Sequence, residues 1–215
     1  MFAFQPEDHP TVAVDDGQLF PVRRIFCVGK NYADHVKEMG GDAKSDRPVY
    51  FTKPADAVVP SGVTLPFPLG TDNLHFEGEL VLAMGSATEI FGFAAGCDLT
   101  RRDLQTIAKN AGNPWDIAKG FDHSAPMGVI SRTAPDDSAL LETRVNGEVK
   151  QSSPLSLMIW SIDEILEGLC GLFELKTGDL IFTGTPSGVG PLQPGDHVTV
   201  SVEGLSPLDF HIAKS

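Results

Sequence analysis

The sequence is poor in positive charge. Lys and Arg number 16 against 29 Asp and Glu, a formal net charge of -13 at pH 7, and no basic run exceeds the pairs Arg23-Arg24 and Arg101-Arg102. Nucleic acids and anionic membranes are bound through clustered cations, so both are excluded as partners. Cysteine is also scarce: Cys27, Cys97 and Cys170 have neither the spacing of a C-x-x-C metal knuckle nor the even count of a disulfide framework. That usage fits a reducing, intracellular compartment. No stretch approaches the roughly 18 apolar residues of a membrane span. The opening MFAFQPEDHP lacks the basic and apolar regions of a secretory signal, and the expectation is a cytoplasmic protein. Repeats at solenoid or propeller periods and low-complexity tracts are missing too. With 41% hydrophobic and 21% charged residues among 215, the composition is that of a folded chain, not a disordered segment or a coiled coil.

What is present is punctuation. Gly (22) and Pro (16) are frequent, which predicts many turns and short strands. Residues 24–28 read as a buried strand running into Gly29. A short helix follows, with Asn31 as its cap and Gly40-Gly41 as its end. Residues 75–84 alternate in the manner of one strand, with His75, Glu77, Glu79 and Val81 on one face. Residues 90–99 read as a more buried strand, and residues 101–111 as a helix with Leu104, Ile107 and Ala108 as its apolar stripe. Asn146-Gly147 predicts a tight hairpin. Ser161 and Glu164 form a capping box ahead of the apolar face Ile165, Leu166, Leu169 and Leu172. Residues 179–183, 198–202 and 210–212 complete the strands. The fold class expected is α+β and β-rich, with residues 1–22 as an N-terminal extension and residues 23–215 as the main domain.

Several side chains can carry chemistry. Glu77 and Glu79 project in one direction from one strand, and Asp98, ending the next strand, can join them. Three oxygen ligands suit Mg2+ or Mn2+ and leave positions for water or substrate. The competing reading is a solvated strand face; burial of the trio would demand a cation, because three close carboxylates repel. His35 and Glu38, three apart on the short helix, have the spacing of a carboxylate-oriented imidazole that activates water, or of an ordinary charged helix face. Lys119 and Arg102 are candidate cations for an anionic substrate. The loop 184–190 is Gly-rich but lacks the Lys-Ser/Thr end of a phosphate loop. Cys97 reads as a buried small hydrophobe, since no basic neighbour is evident.

In their order along the chain these pieces resemble the fumarylacetoacetate hydrolase superfamily, in particular its small acylpyruvase-like members. Gly29-Lys30-Asn31-Tyr32-Ala33-Asp34-His35-Val36-Lys37-Glu38-Met39 is similar to the family's lid, and Phe51-Thr52-Lys53-Pro54 to its Lys-Pro strand. His75-Phe76-Glu77-Gly78-Glu79-Leu80 resembles its Glu-x-Glu, and residues 97–105 the segment bearing its third carboxylate. Residues 115–121, 145–148 and 178–190 continue the likeness, which spans about residues 23–213. Gly78 departs from the pattern, standing where a larger apolar residue is frequent, on a side expected to face away from the metal.

The resemblance implies a mixed β-roll fold of the fumarylacetoacetate hydrolase C-terminal domain type, in a homodimer, with Mg2+ or Mn2+ held by Glu77, Glu79 and Asp98. It implies that His35, Glu38 and Lys119 are catalytic and that Arg102, Gln105 and Thr185 meet substrate. The activity implied is hydrolysis of the carbon-carbon bond of an acylpyruvate, of fumarylpyruvate or acetylpyruvate type. Such a substrate is a small anionic 2-oxo acid, whose charge a metal would offset in an otherwise acidic protein. Oxaloacetate decarboxylation and isomerisation or hydration of a 2-oxo-alkenoate use the same site chemistry and stay open. A metal-stabilised scaffold without turnover is the reading from another class; it would need the carboxylates but not His35, Glu38 and Lys119.

Overall fold

The computed structural model describes residues 2–5, 8–33 and 48–214. The β-rich expectation holds: among these residues, four sheets carry three short α-helices. The largest sheet runs, in spatial order, Val49–Lys53, Arg24–Gly29, Asp179–Phe182, Gly78–Met84, Ile90–Cys97, Ala125–Met127 and Val58–Pro60. A second sheet runs Glu148–Pro154, Leu140–Val145, His197–Val202, Leu208–Ile212 and Val63–Leu65. Both mix parallel and antiparallel pairs. Two small sheets complete the set: Thr100–Arg101, Leu74–Phe76 and Gly190–Pro191 in one, Thr11–Ala13 with Leu19–Pro21 in the other.

Strand Gly78–Met84 is buried along its whole length, and its alternation feeds two cores. Leu80 and Leu82 point into the larger, with Leu141, Val198, Val200 and Phe210 of the second sheet. Val81 and Ala83 point into the smaller, where Val12, Val14 and Phe20 from the hairpin of residues 11–21 cover the opposite face. Burying both faces of one strand needs a cover on each side, and the N-terminal hairpin supplies the second one.

Local signals account for several boundaries. Asn146 (φ 53°) and Gly147 (φ 82°) take the left-handed angles of a type I′ turn, which places Val145 opposite Glu148. The capping box forms: the Ser161 hydroxyl accepts from Glu164 N (3.3 Å) and Ser161 N donates to the Glu164 carboxylate (2.8 Å), opening helix Ile162–Cys170. Of the apolar face predicted there, Ile165 and Leu169 are buried, whereas Leu172 lies past the helix end and is exposed.

Two expectations need correction. Residues 75–84 do not form one strand. The chain leaves the small sheet after Phe76 and joins the large one at Gly78, with Glu77 alone between them. Alternation continues through the break, so the pattern cannot reveal it. Second, helix Arg102–Ala111 does not bury Leu104 and Ile107. Its inward side chains are Arg102, Gln105 and Ala108, and Ile107 is 64% exposed. The helix turns a polar face inward because that face meets charged partners.

Candidate active site

The break at Glu77 builds the centre of the site. Asp98 directly follows strand Ile90–Cys97, and its N–H donates to the Glu77 carbonyl (2.8 Å), which holds the two side by side. Glu79 is the second residue of its own strand. The carboxylates of Glu77, Glu79 and Asp98 are buried, and their ligand atoms lie within 4.8 Å of one another. The solvated-face reading therefore fails.

Side-chain cations converge on the trio. Lys119, the last residue of helix Asp116–Lys119, reaches Glu77 Oε2 (2.7 Å), Asp98 Oδ2 (2.6 Å) and Thr100 Oγ1 (2.6 Å), which uses all three ammonium hydrogens. Arg102 pairs with Glu77 Oε1 and donates to Gln105 Oε1, and its Nε lies 3.4 Å from His75 Nδ1. Lys53 Nζ sits 2.8 Å from Asp98 Oδ1, but out of hydrogen-bonding alignment, so that contact is Coulombic and Oδ1 has no hydrogen-bond donor among the described residues. Burial of the trio thus does not by itself require a metal, because Lys53, Arg102 and Lys119 already supply three positive charges.

Glu79 is the exception. Its Oε2 accepts one bond, from Gly184 N (2.8 Å), and among the described residues it has no ion pair. Burial, then the neighbouring Asp98 and Glu77 carboxylates, hold its pKa well above the usual carboxylate range. Burial pulls the Lys119 ammonium down, but Asp98 and Glu77 outweigh it and the net shift is upward, so Lys119 remains a cation. Burial and the nearby Arg102 guanidinium lower His75 to about 4, so at neutral pH it is an uncharged acceptor for Arg102. A divalent ion fits this donor set: three clustered hard oxygens, one carboxylate with no countercharge, and one carboxylate oxygen without a hydrogen-bond donor.

Thr185 lies beside the carboxylates. Its hydroxyl donates to the Gly78 carbonyl (2.8 Å) and accepts from Gln151 Nε2 (2.7 Å), while Gln151 Oε1 takes the Gly78 N–H (3.0 Å). Gly184 can present its N–H to Glu79 because it is glycine: φ is 102°, and a Cβ there would meet Asn31 Cβ at 2.6 Å. Gly78 is similarly constrained, since a Cβ would fall 2.0 Å from Thr143 Oγ1. Glycine at position 78 is thus tied to Thr143 in the facing sheet.

The structure therefore brings together Glu77, Glu79, Asp98, Lys119, Arg102, Gln105 and Thr185. His35 and Glu38 lie outside the described residues. The pattern of the fumarylacetoacetate (FAA) hydrolase C-terminal domain matches residues 24–213. The chain belongs to the fumarylacetoacetate hydrolase family. The solved structure of fumarylpyruvate hydrolase from Pseudomonas aeruginosa, in complex with Mn2+ and pyruvate, superposes with a TM-score of 0.96 over 100% of both chains at 39% identity. Oxaloacetate tautomerase YcgM of Escherichia coli is 41% identical over 201 residues, 87% of this chain and 91% of that one. Mouse mitochondrial oxaloacetate tautomerase FAHD1 is 39% identical over 206 residues, 90% and 93% of the two chains. The fumarylacetoacetate hydrolase fold and the enzymatic character of the family are thereby established, while its members divide between bond cleavage and isomerisation. No helix among the described residues is long and apolar enough to cross a membrane.

Some residues of this family site escape a reading by pattern. By spacing alone Lys53 looks like an ordinary strand-end lysine; the likeness to the family's Lys-Pro strand marks the segment, and its burial beside Asp98 gives the lysine its place at the site. Gln151 sits on an inward-facing position of a polar strand, where no apolar alternation flags burial. Tyr32 is buried and its hydroxyl has no hydrogen-bond partner among the described residues; burial first, and then the Glu79 carboxylate, raise its pKa. An orphan hydroxyl cannot be read from sequence.

Proposed function

We propose that the protein hydrolyses the carbon-carbon bond of a small acylpyruvate, of the fumarylpyruvate type, to pyruvate and a carboxylic acid. The observation that carries this reading is the buried carboxylate trio with Lys119 bridging Glu77 and Asp98. It is supported by near-complete likeness to a fumarylpyruvate hydrolase whose structure holds Mn2+ and pyruvate. In this reading Glu77, Glu79 and Asp98 hold Mn2+ or Mg2+, which supplies Lewis-acid polarisation of the 2-oxo acid and offsets its charge.

The chain's own groups do the rest. Glu38 orients His35, which takes a proton from water as the hydroxide adds to the distal carbonyl. The bond between that carbonyl carbon and the CH2 then breaks. Its electron pair stays on the CH2 carbon as the pyruvate enolate, and protonation there gives pyruvate. Lys119 exchanges its Thr100 bond for a substrate oxygen and stabilises charge as it develops. Arg102 and Gln105, locked to each other on one helix face, position the substrate, and Thr185 meets its carboxylate end.

A second reading has a specific basis: YcgM and mouse FAHD1, curated relatives at 41% and 39% identity, are oxaloacetate tautomerases. Moving a proton between the enol oxygen and C3 of oxaloacetate needs the same charge stabilisation but no attacking water. The test is to supply metal-free protein with Mn2+ or Mg2+ and follow pyruvate release from fumarylpyruvate, acetylpyruvate and oxaloacetate, together with enol decay of oxaloacetate. Metal-dependent pyruvate release from an acylpyruvate exceeding every oxaloacetate reaction supports the hydrolase. Enol decay without pyruvate release would replace it with tautomerisation, and pyruvate from oxaloacetate alone with decarboxylation.

A further inference from the structure

A second cluster of metal-ligand side chains lies on the five-stranded sheet, away from the carboxylate site. Strands His197–Val202 and Leu208–Ile212 are antiparallel, with His197 directly opposite His211 and Thr199 opposite Asp209. Side chains two apart share a face, so His197, His211 and Asp209 all project from the side opposite buried Val198 and Phe210. The two imidazoles stack with centroids 4.3 Å apart and planes 9° apart. Asp209 Oδ2 pairs with His197 Nε2. One potential ligand atom from each of the three lies within 4.8 Å of the others.

The backbone beneath is fixed at both ends. Asp209 N donates to Ser61 Oγ (2.9 Å), and the Asp209 carbonyl accepts the Gly62 N–H (2.7 Å). His197 N donates to Asn146 Oδ1 (3.0 Å), and its carbonyl receives Asn146 N (2.8 Å). Register, pairing and anchoring thus fix the backbone beneath the three side chains before any ion arrives. Two bonds of about 2.05 Å at a tetrahedral angle span about 3.3 Å, which adjustments of ring rotamers on a fixed backbone can reach.

We propose that His197, Asp209 and His211 form a binding site for a borderline transition-metal ion, of the Zn2+, Ni2+ or Cu2+ class. Two imidazoles and one carboxylate select that class over Mg2+, which favours oxygen donors and would go to the buried trio. The ion replaces any proton shared between His197 and Asp209, and the remaining coordination positions face solvent. Bound there, it clips strand Leu208–Ile212 to strand His197–Val202.

The test uses full-length protein without a histidine tag, with Mg2+ in excess to occupy the carboxylate trio, and Cu2+ as the probe. Electron paramagnetic resonance is expected to show one tight Cu2+ per chain with hyperfine coupling from two imidazole nitrogens. His197→Gln and His211→Gln should each lose one nitrogen coupling and weaken binding by at least about tenfold, and Asp209→Asn should weaken it by about tenfold. Zn2+ should raise the melting temperature of the wild type and not of His211→Gln, whose circular dichroism stays unchanged because the side chain is exposed. A wild-type signal with no nitrogen coupling, or the two-nitrogen signal surviving in both histidine variants, would overturn the proposal.

Discussion

Asp179 and Glu79 are both buried carboxylates on adjacent strands of the same sheet, yet their surroundings are opposite. Asp179 takes both hydrogen-bonding arms it needs: Arg23 at 2.9 and 3.1 Å, Arg24 at 3.2 and 3.3 Å, and the Lys176 N–H at 2.9 Å. It ties the start of strand Arg24–Gly29 to the start of strand Asp179–Phe182, a parallel pair with no local turn to hold it. Glu79 has one backbone N–H and no countercharge among the described residues. A buried acid whose lone pairs and charge are all met is part of the scaffold. One left short is held ready for something that binds, because native proteins rarely tolerate such a deficit without a use for it.

The contrast yields predictions that fall in order of size. Replacing Glu79 by Gln should abolish divalent-metal binding and lower turnover by at least about a thousandfold, with no fall in melting temperature, since the variant removes an uncompensated buried charge. Lys119→Met should retain the fold once Mn2+ is supplied but lower kcat by about 100- to 1000-fold, as for loss of one preorganised donor. Asp179→Ala should do the reverse. Denaturant unfolding should register a loss of about 3 kcal/mol, near the low end for a broken buried pair because both guanidinium groups are about a third exposed, while kcat per folded molecule is unchanged. Gly78→Ala forces Thr143 aside and should cost about 2 kcal/mol, with Thr143→Gly in the same chain recovering part of it. Smallest is Tyr32→Phe: deleting a buried hydroxyl with no partner among the described residues should raise stability by about 1 kcal/mol in denaturant unfolding.

Legibility in the sequence followed the same division. Features set by a few neighbours are readable: the Asn146-Gly147 turn, the Ser161/Glu164 capping box, and the strand ahead of Gly29. Glu77, Glu79 and Asp98 could be proposed as a group because two share a short spacing and the third closes the next strand. Their joint burial is a property of packing. The break at Glu77 is invisible in the sequence because alternation runs through it, and on helix Arg102–Ala111 the apolar stripe gives Ala108 correctly but not Arg102 and Gln105, because the buried face obeys charge pairing as well as apolar periodicity. Lys53 and Gln151 are joined to the site across 45 and 73 positions of sequence, to Asp98 and Gly78, and local spacing carries no trace of such contacts. Family likeness named residues that spacing alone left open; it did not foresee that Gly78 and Thr143 fit together.

The most direct test of this division counts bound Mn2+ by the resonance signal of the free ion in wild type, Glu79→Gln and Asp179→Asn, each first confirmed to be folded. The account predicts one tight Mn2+ per chain in the wild type and in Asp179→Asn, and none in Glu79→Gln. Tight binding that survives in Glu79→Gln would contradict it.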